Sequence, residues 1–187
     1  MNNTCEKLSE TLISFSKGNV VILFLAVFLL FVAIVLPTES TKTAKYTGGE
    51  GSPDLSLFYT QQDLYRMAEQ FGAQGRQAYV KARFTFDLAF PLVYGAFLLT
   101  SIAWLLGKIT LSAAPVRLLT YFPLAAVVFD LLENITASFV IGRYPTPSPF
   151  AAAAAPFFTF IKWFFVGGSF ALAAILLIIY IFKRLKK

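Results

Sequence analysis

Residues 20–36 read VVILFLAVFLLFVAIVL, seventeen consecutive side chains with no charge and no strongly polar group. At ~1.5 Å per residue this run, with its flanks, matches the ~30 Å hydrocarbon core of a bilayer. Three more long, mostly apolar stretches follow, over residues 82–106, 116–141 and 154–182, each with one to three charged side chains inside it. Gly107 closes the first of these, Gly142 and Pro145 the second, and a basic tail over residues 183–187 the third. Pro37 is expected to end the run at 20–36, because a proline interrupts the helical bonding ladder. The residues ahead of that run, 1–19, are too many for a signal peptide's charged leader, and LPTES carries no A-x-A-like site. An uncleaved signal anchor is therefore expected.

Composition leads to the same class. Of 187 residues, 57% are hydrophobic, 17% aromatic and 14% charged. Mean hydropathy is +0.68. So much apolar surface cannot be buried by so short a soluble chain, and disorder is excluded by the same numbers. The chain has no histidine, which removes His-ligated haem, HExxH zinc sites and His-based triads. Its single cysteine, Cys5, allows neither an internal disulfide nor a CxxC pair. No metal set and no cofactor motif is present, so none is expected. Net charge is +6, and Lys183, Arg184, Lys186 and Lys187 supply most of it. Cations after an apolar helix read as a membrane-proximal anchor, so no nucleic-acid partner is expected.

Short connectors, Lys108 to Pro115 and Arg143 to Pro149, place successive spans side by side. The expected fold is all-α: a four-transmembrane-helix antiparallel bundle with an extracytoplasmic helical lid in loop 1. Lys7, Lys17, Lys108, Arg117 and the tail cations fall on one side, against Arg143 in the short opposite loop. This predicts a protein integral to the plasma membrane (the bacterial inner membrane) with both termini cytoplasmic. The Asn2-Asn3-Thr4 sequon then faces the cytoplasm, and Asn134-Ile135-Thr136 lies within a span.

The loop over residues 37–81 begins as a polar coil, TESTKTAKYTGGEGS. Ser52-Pro53-Asp54 carries the pattern of a helix cap, and Thr60-Gln61-Gln62-Asp63 repeats that signal. Leu64, Met67, Ala68 and Phe71 then recur at helical spacing before Gly72, predicting an amphipathic helix over 61–71. The second spanning helix is expected to start near Ala73. It would then measure ~51 Å to Leu106 and stand above the outer surface.

The informative residues are the polar ones inside the spans. Arg76, Arg83, Asp87 and Tyr94 share one helix face. Pro91 lacks an N–H, so the Asp87 carbonyl cannot receive its helical bond. This suggests a kink there, with a carboxylate and a carbonyl side by side. The plainer account is an Arg83–Asp87 pair at i,i+4. Asp130, Glu133 and Asn134 also share one face, with Pro123, Ala126 and Ala137. Two ionised acids in mid-membrane cost roughly +2.5 to +3.5 kcal/mol each, while each Leu, Ile, Phe or Val returns roughly −0.3 to −0.6. The third span is therefore marginal alone and needs polar partners. Lys162, flanked by Thr159, Ser169 and Ala173, lies ~12 Å into the fourth span, at a depth similar to Glu133. Gly167-Gly168 reads as a close-packing feature. The first span offers no charge and is expected to sit at the edge.

The strings PDLSLFYTQQDLYRMAEQFG, GRQAYVKARFTFDLAFPLVYG, FDLLEN and IKWFFVGGSF resemble an uncharacterised family of small bacterial four-span integral membrane proteins, over about residues 53–170. The resemblance implies a four-span fold and carries no activity. Vitamin K epoxide reductases need cysteine pairs and sterol-isomerase-type enzymes a histidine, and both are missing here.

Three functional readings stand. The first is an outward-side charged pocket between the second, third and fourth spans, binding or transporting a cation, a proton or a small polar or lipid-headgroup ligand. Asp87, Asp130, Glu133, Asn134, Lys162, Arg83 and Tyr94 are its candidate ligand- or ion-binding residues. The second is a tetraspan-like scaffold or accessory subunit whose intramembrane charges are structural. The third is an intramembrane lipid-modifying enzyme with Asp130 or Glu133 as general acid/base, a reading no catalytic motif supports. The expected partners are the lipid bilayer, a small ligand or ion, and a second copy or a partner membrane protein.

Overall fold

The computed structural model describes residues 3–48, 52, 53, 56–109 and 118–186. Its elements are α1 (Asn3–Phe15), α2 (Gly18–Leu30), a π-turn (Phe31–Val35), α3 (Leu36–Thr47), α4 (Gln61–Gln70), α5 (Gly72–Arg83), α6 (Phe86–Ile109), a 3₁₀ turn (Leu118–Tyr121), α7 (Phe122–Arg143) and α8 (Pro149–Leu185). Among the described residues, four helical runs are long and apolar enough to cross a bilayer: Gly18–Thr47, Gly72–Ile109, Leu118–Arg143 and Pro149–Leu185. The chain is an all-helical, multi-span integral membrane protein. Residues 110–117, which hold most of the Lys108–Pro115 connector together with Arg117, lie outside the described residues, as do Asn2 of the first sequon and Asp54 of the first cap signal.

Several expected boundaries are corrected. Pro37 does not end the first span: the helix runs on to Thr47, so TESTKTAKYT is helical rather than coil. The preceding π-turn explains how. There the Leu36 N–H donates to the Phe31 carbonyl, five residues back, and the widened turn makes room ahead of the proline ring. Pro37 then occupies the first turn of α3, where its missing N–H costs little. The Thr38 hydroxyl donates to the Ile34 carbonyl at 2.8 Å, and Gly48, at φ +64°, ends the run in the left-handed conformation.

The second span is likewise not one helix from Ala73 to Leu106. It begins at Gly72 and is interrupted at Phe84–Thr85, where the Thr85 N–H turns back to Ala82 and its hydroxyl to Lys81. Helix α6 runs through Pro91 and past Gly107 to Ile109. The fourth span also starts earlier than residue 154, at Pro149.

The α4 helix forms as the sequence predicts. Thr60 and Asp63 make a reciprocal capping box. Gly72, at φ +61°, separates α4 from α5. The apolar face of α4, Leu64 and Ala68, is buried with Tyr79, Val140, Ile141, Ala152 and Ala155 where α7 ends and α8 begins. The Ser148 N–H donates to the Tyr65 hydroxyl at 2.7 Å, tying α4 to the turn between them.

The first span lies at the edge of the bundle, and its most apolar window buries no residue. It touches the rest through aromatic stacks, Phe28 on Phe97 at 5.0 Å and Phe31 on Phe86 and Phe90 at 5.7 Å each. Gly168 faces the Phe122 ring, which a side chain there would crowd, whereas Gly167 faces open space. The close-packing reading therefore holds for one of the two glycines.

Candidate functional site

The polar residues of the spans are collected into one buried region. Arg83 ends α5 at the break, 5% exposed. Its guanidinium reaches Asp87 at 3.3 Å, donates to Ser52 Oγ at 2.5 Å and to Asn134 Oδ1 at 3.4 Å, and sits 4.6 Å from the Tyr79 ring centre. The interruption at Phe84–Thr85 sets Arg83 against α7 just ahead of the intramembrane part of α6.

Asn134 answers the question posed by Pro91. Its Nδ2 donates to the Asp87 carbonyl at 2.9 Å, the oxygen that Pro91 cannot serve. The same amide lies 3.3 Å from Asp130 Oδ1. Across from it, the Tyr94 hydroxyl donates to Asp130 Oδ2 at 2.8 Å. Arg83, Asp87, Asn134, Asp130 and Tyr94 thus form one continuous chain of hydrogen bonds from α5 through α7 to α6. Lys162 on α8 pairs with Glu133 on α7 at 2.5 Å, both buried. Thr159, on the same buried face of α8, shares a hydrogen bond with the Tyr59 hydroxyl at 3.0 Å.

All seven residues singled out from the sequence fall in this region. Arg76, which shares their helix face in sequence, does not. It is half-buried, donates to the Ala68 carbonyl at 3.0 Å and lies over the Tyr144 ring. Sequence reasoning missed Ser52, Tyr59 and Tyr79. Tyr79 carried a signal, since it stands at i−4 from Arg83. Ser52 and Tyr59 lie in loop sequence, where spacing says nothing about tertiary partners.

Beside the network is a cavity of about 290 Å³. Arg83, Asp87, Tyr94, Asp130 and Lys162 form its polar end, while Phe86, Phe90, Trp163, Val166 and Phe170 with Phe28 and Leu36 of the first span form the rest. Glu133 and Asn134 stand behind that wall. The arrangement therefore joins a polar network that links α5, α6, α7 and α8 to a small aromatic chamber at its face.

No model of a known protein family matches the chain, and no curated protein and no solved structure matches it either.

Proposed function

We propose that this chain is a tetraspan-like scaffold or accessory subunit whose intramembrane charges hold its helices in register. The observation that carries this reading is the pairing itself: Lys162 on Glu133, Arg83 on Asp87, and Asn134 on the Asp87 carbonyl. Apolar contacts between helices gain little in lipid, so polar pairs are the natural fasteners. The spans run antiparallel in this reading, with both termini cytoplasmic, α4 as an outer cap on α7 and α8, and the likeness to small four-span proteins part of the same account. Phe157, Phe160 and Phe164 give α8 an exposed aromatic stripe, a surface suited to a partner helix or to lipid. The test is charge exchange. Lys162→Glu and Glu133→Lys should each prevent folding, and the double exchange should restore it. Failure of the double exchange, together with tolerance of both singles, would overturn the reading.

The cavity favours a second reading, a binding role for the face lined by Asp87, Asp130 and Lys162. Thiol probes on Asp87→Cys, Asp130→Cys and Lys162→Cys test it. Mutual cross-linking and ligand protection support it, while three dry, mutually unreachable cysteines exclude it.

A further inference from the structure

We propose that the end of the bundle that carries α4 holds an anionic phospholipid, its phosphate among Arg76, Lys81 and Arg143 and its acyl chains along the apolar faces of α6 and α7. The site is separate from the cavity beside Asp130 and shares no lining residue with it.

The head site comes first. A recess of about 450 Å³ lies between Arg76, Gln77, Val80 and Lys81 of α5 and Gly142 and Tyr144 where α7 ends. That size suits a ligand, since such sites run roughly 300–1,000 Å³. Neither aspartate nor glutamate lines it. Arg143 stands in sequence between Gly142 and Tyr144, and both it and Lys81 are exposed. None of the three cations is in an ion pair with a carboxylate of the described residues. Arg76 is held in place, with one N–H donating to the Ala68 carbonyl at 3.0 Å and its guanidinium 5.1 Å from the Tyr144 ring centre. A guanidinium carries five N–H donors, so one carbonyl leaves it able to bind a phosphate as well. A zwitterionic head would bring its own cation into a region that already holds three, so the charge favours a net anion.

The surface next to the recess decides between a soluble anion and a lipid. On α7, Ile135, Phe139 and Gly142 share one face, and the first two are exposed apolar side chains. Along the second span, Phe84 and Leu88 follow Lys81 at i+3 and i+7 and are likewise exposed. Gly142 packs on Val80, and Asn134 reaches the Asp87 carbonyl. Phe84 therefore lies at the height of Phe139, and Leu88 at that of Ile135. Arg143 bridges the two zones, its guanidinium 5.0 Å from the Phe139 ring centre. Cations stacked at one end of lipid-facing apolar pairs match a phospholipid along its length, charge against head and carbon against tail. A free phosphate would use the head site alone.

The test is lipid binding by the full-length protein in neutral maltoside micelles, counted by native mass spectrometry. The probes are dioleoyl phosphatidylglycerol, dioleoyl phosphatidylcholine, dioleoylglycerol and the soluble head glycerophosphoglycerol. One phosphatidylglycerol per chain is expected, about tenfold tighter than any of the other three. Lys81→Gln with Arg143→Gln, both exposed and outside the buried network, should bring phosphatidylglycerol down to the level of phosphatidylcholine. Arg184→Gln with Lys186→Gln removes the same charge at the C-terminal end of α8 and should leave binding unchanged. Leu88→Ala with Phe139→Ala should weaken the intact lipid several-fold and not the soluble head. Phosphatidylcholine as tight as phosphatidylglycerol overturns the proposal. A soluble head as tight as the intact lipid also overturns it, in favour of a phosphate site without a tail groove. Equal losses from the two charge-removing double variants overturn it as well, leaving only general attraction between a basic protein and an anion.

Discussion

The two halves of the spanning region are built differently. In one, α5, α6, α7 and α8 meet through directional polar contacts among Arg83, Asp87, Asp130, Glu133, Asn134 and Lys162. In the other, Ile102, Leu105, Leu106 and Ile109 of α6 meet Leu176 of α8, with Ile13 of α1 and the Trp104–Tyr180 pair around them. A polar contact at that end, Lys183 donating to the Ile109 carbonyl at 2.9 Å, caps the last turn of α6. The difference shows how labour is divided in a bilayer. Apolar contacts have little hydrophobic drive where the surroundings are already apolar, so they hold helices by fit alone. A polar pair excludes alternatives, because every other register leaves a charge facing lipid.

The comparison can be broken most strongly at Lys162. Lys162→Met leaves Glu133 buried without its cation and should cost about 3–5 kcal/mol, and Lys162→Met with Glu133→Gln should recover most of it. Thermal unfolding in detergent reads both. A smaller loss is expected in the apolar half: Leu106→Ala should cost about 2–3 kcal/mol through the cavity it leaves, with no second substitution of opposite polarity able to rescue it. If Leu106→Ala costs more than Lys162→Met, the two halves do not divide the work as described.

Asn134 sharpens the contrast further. Asn134→Leu should cost about 1–3 kcal/mol, since it strips the donor from the Asp87 carbonyl. In a Pro91→Ala background a backbone N–H can serve that oxygen, so the same substitution should cost measurably less. Additive costs in the double-mutant cycle would show that Asn134 does not stand in for the proline's missing bond.

The smallest effect lies outside the membrane. The Thr60 backbone N–H and hydroxyl both bond the Asp63 carboxylate, and with Arg66 beside it they hold its pKa below the usual carboxylate value. A depressed carboxylate pKa stabilises the fold above its unfolded value and loses that contribution as pH falls through the folded one. The protection of amides at the start of α4, relative to their intrinsic exchange rate at each pH, should therefore fall under acid, and Asp63→Asn should remove that pH dependence of protection.

The four spans, the α4 cap and the Arg83–Asp87 pair were legible because each is local. Mean hydropathy over a window, a Thr-x-x-Asp cap and an i,i+4 spacing are properties of neighbours along one helix. The Lys162–Glu133 pair was legible through matching depth and the cost of a lone charge in lipid. The course of the helix beyond Pro37 and the break at Phe84–Thr85 were not. A proline's effect depends on whether a widened turn precedes it or another helix serves the carbonyl it leaves, and both are tertiary facts.

Sequence alone thus determined that this chain crosses a membrane, that its third span is marginal by itself, and which side chains need partners. These follow from the transfer energy of each residue, which needs no knowledge of contacts. Only the tertiary structure decided that Asn134 reaches the Asp87 carbonyl, that Tyr94 meets Asp130, that Ser52 comes back to Arg83, and that a chamber remains beside them. Those choices depend on where helices distant in sequence cross and which rotamers their packing permits, and no spacing within one helix encodes that.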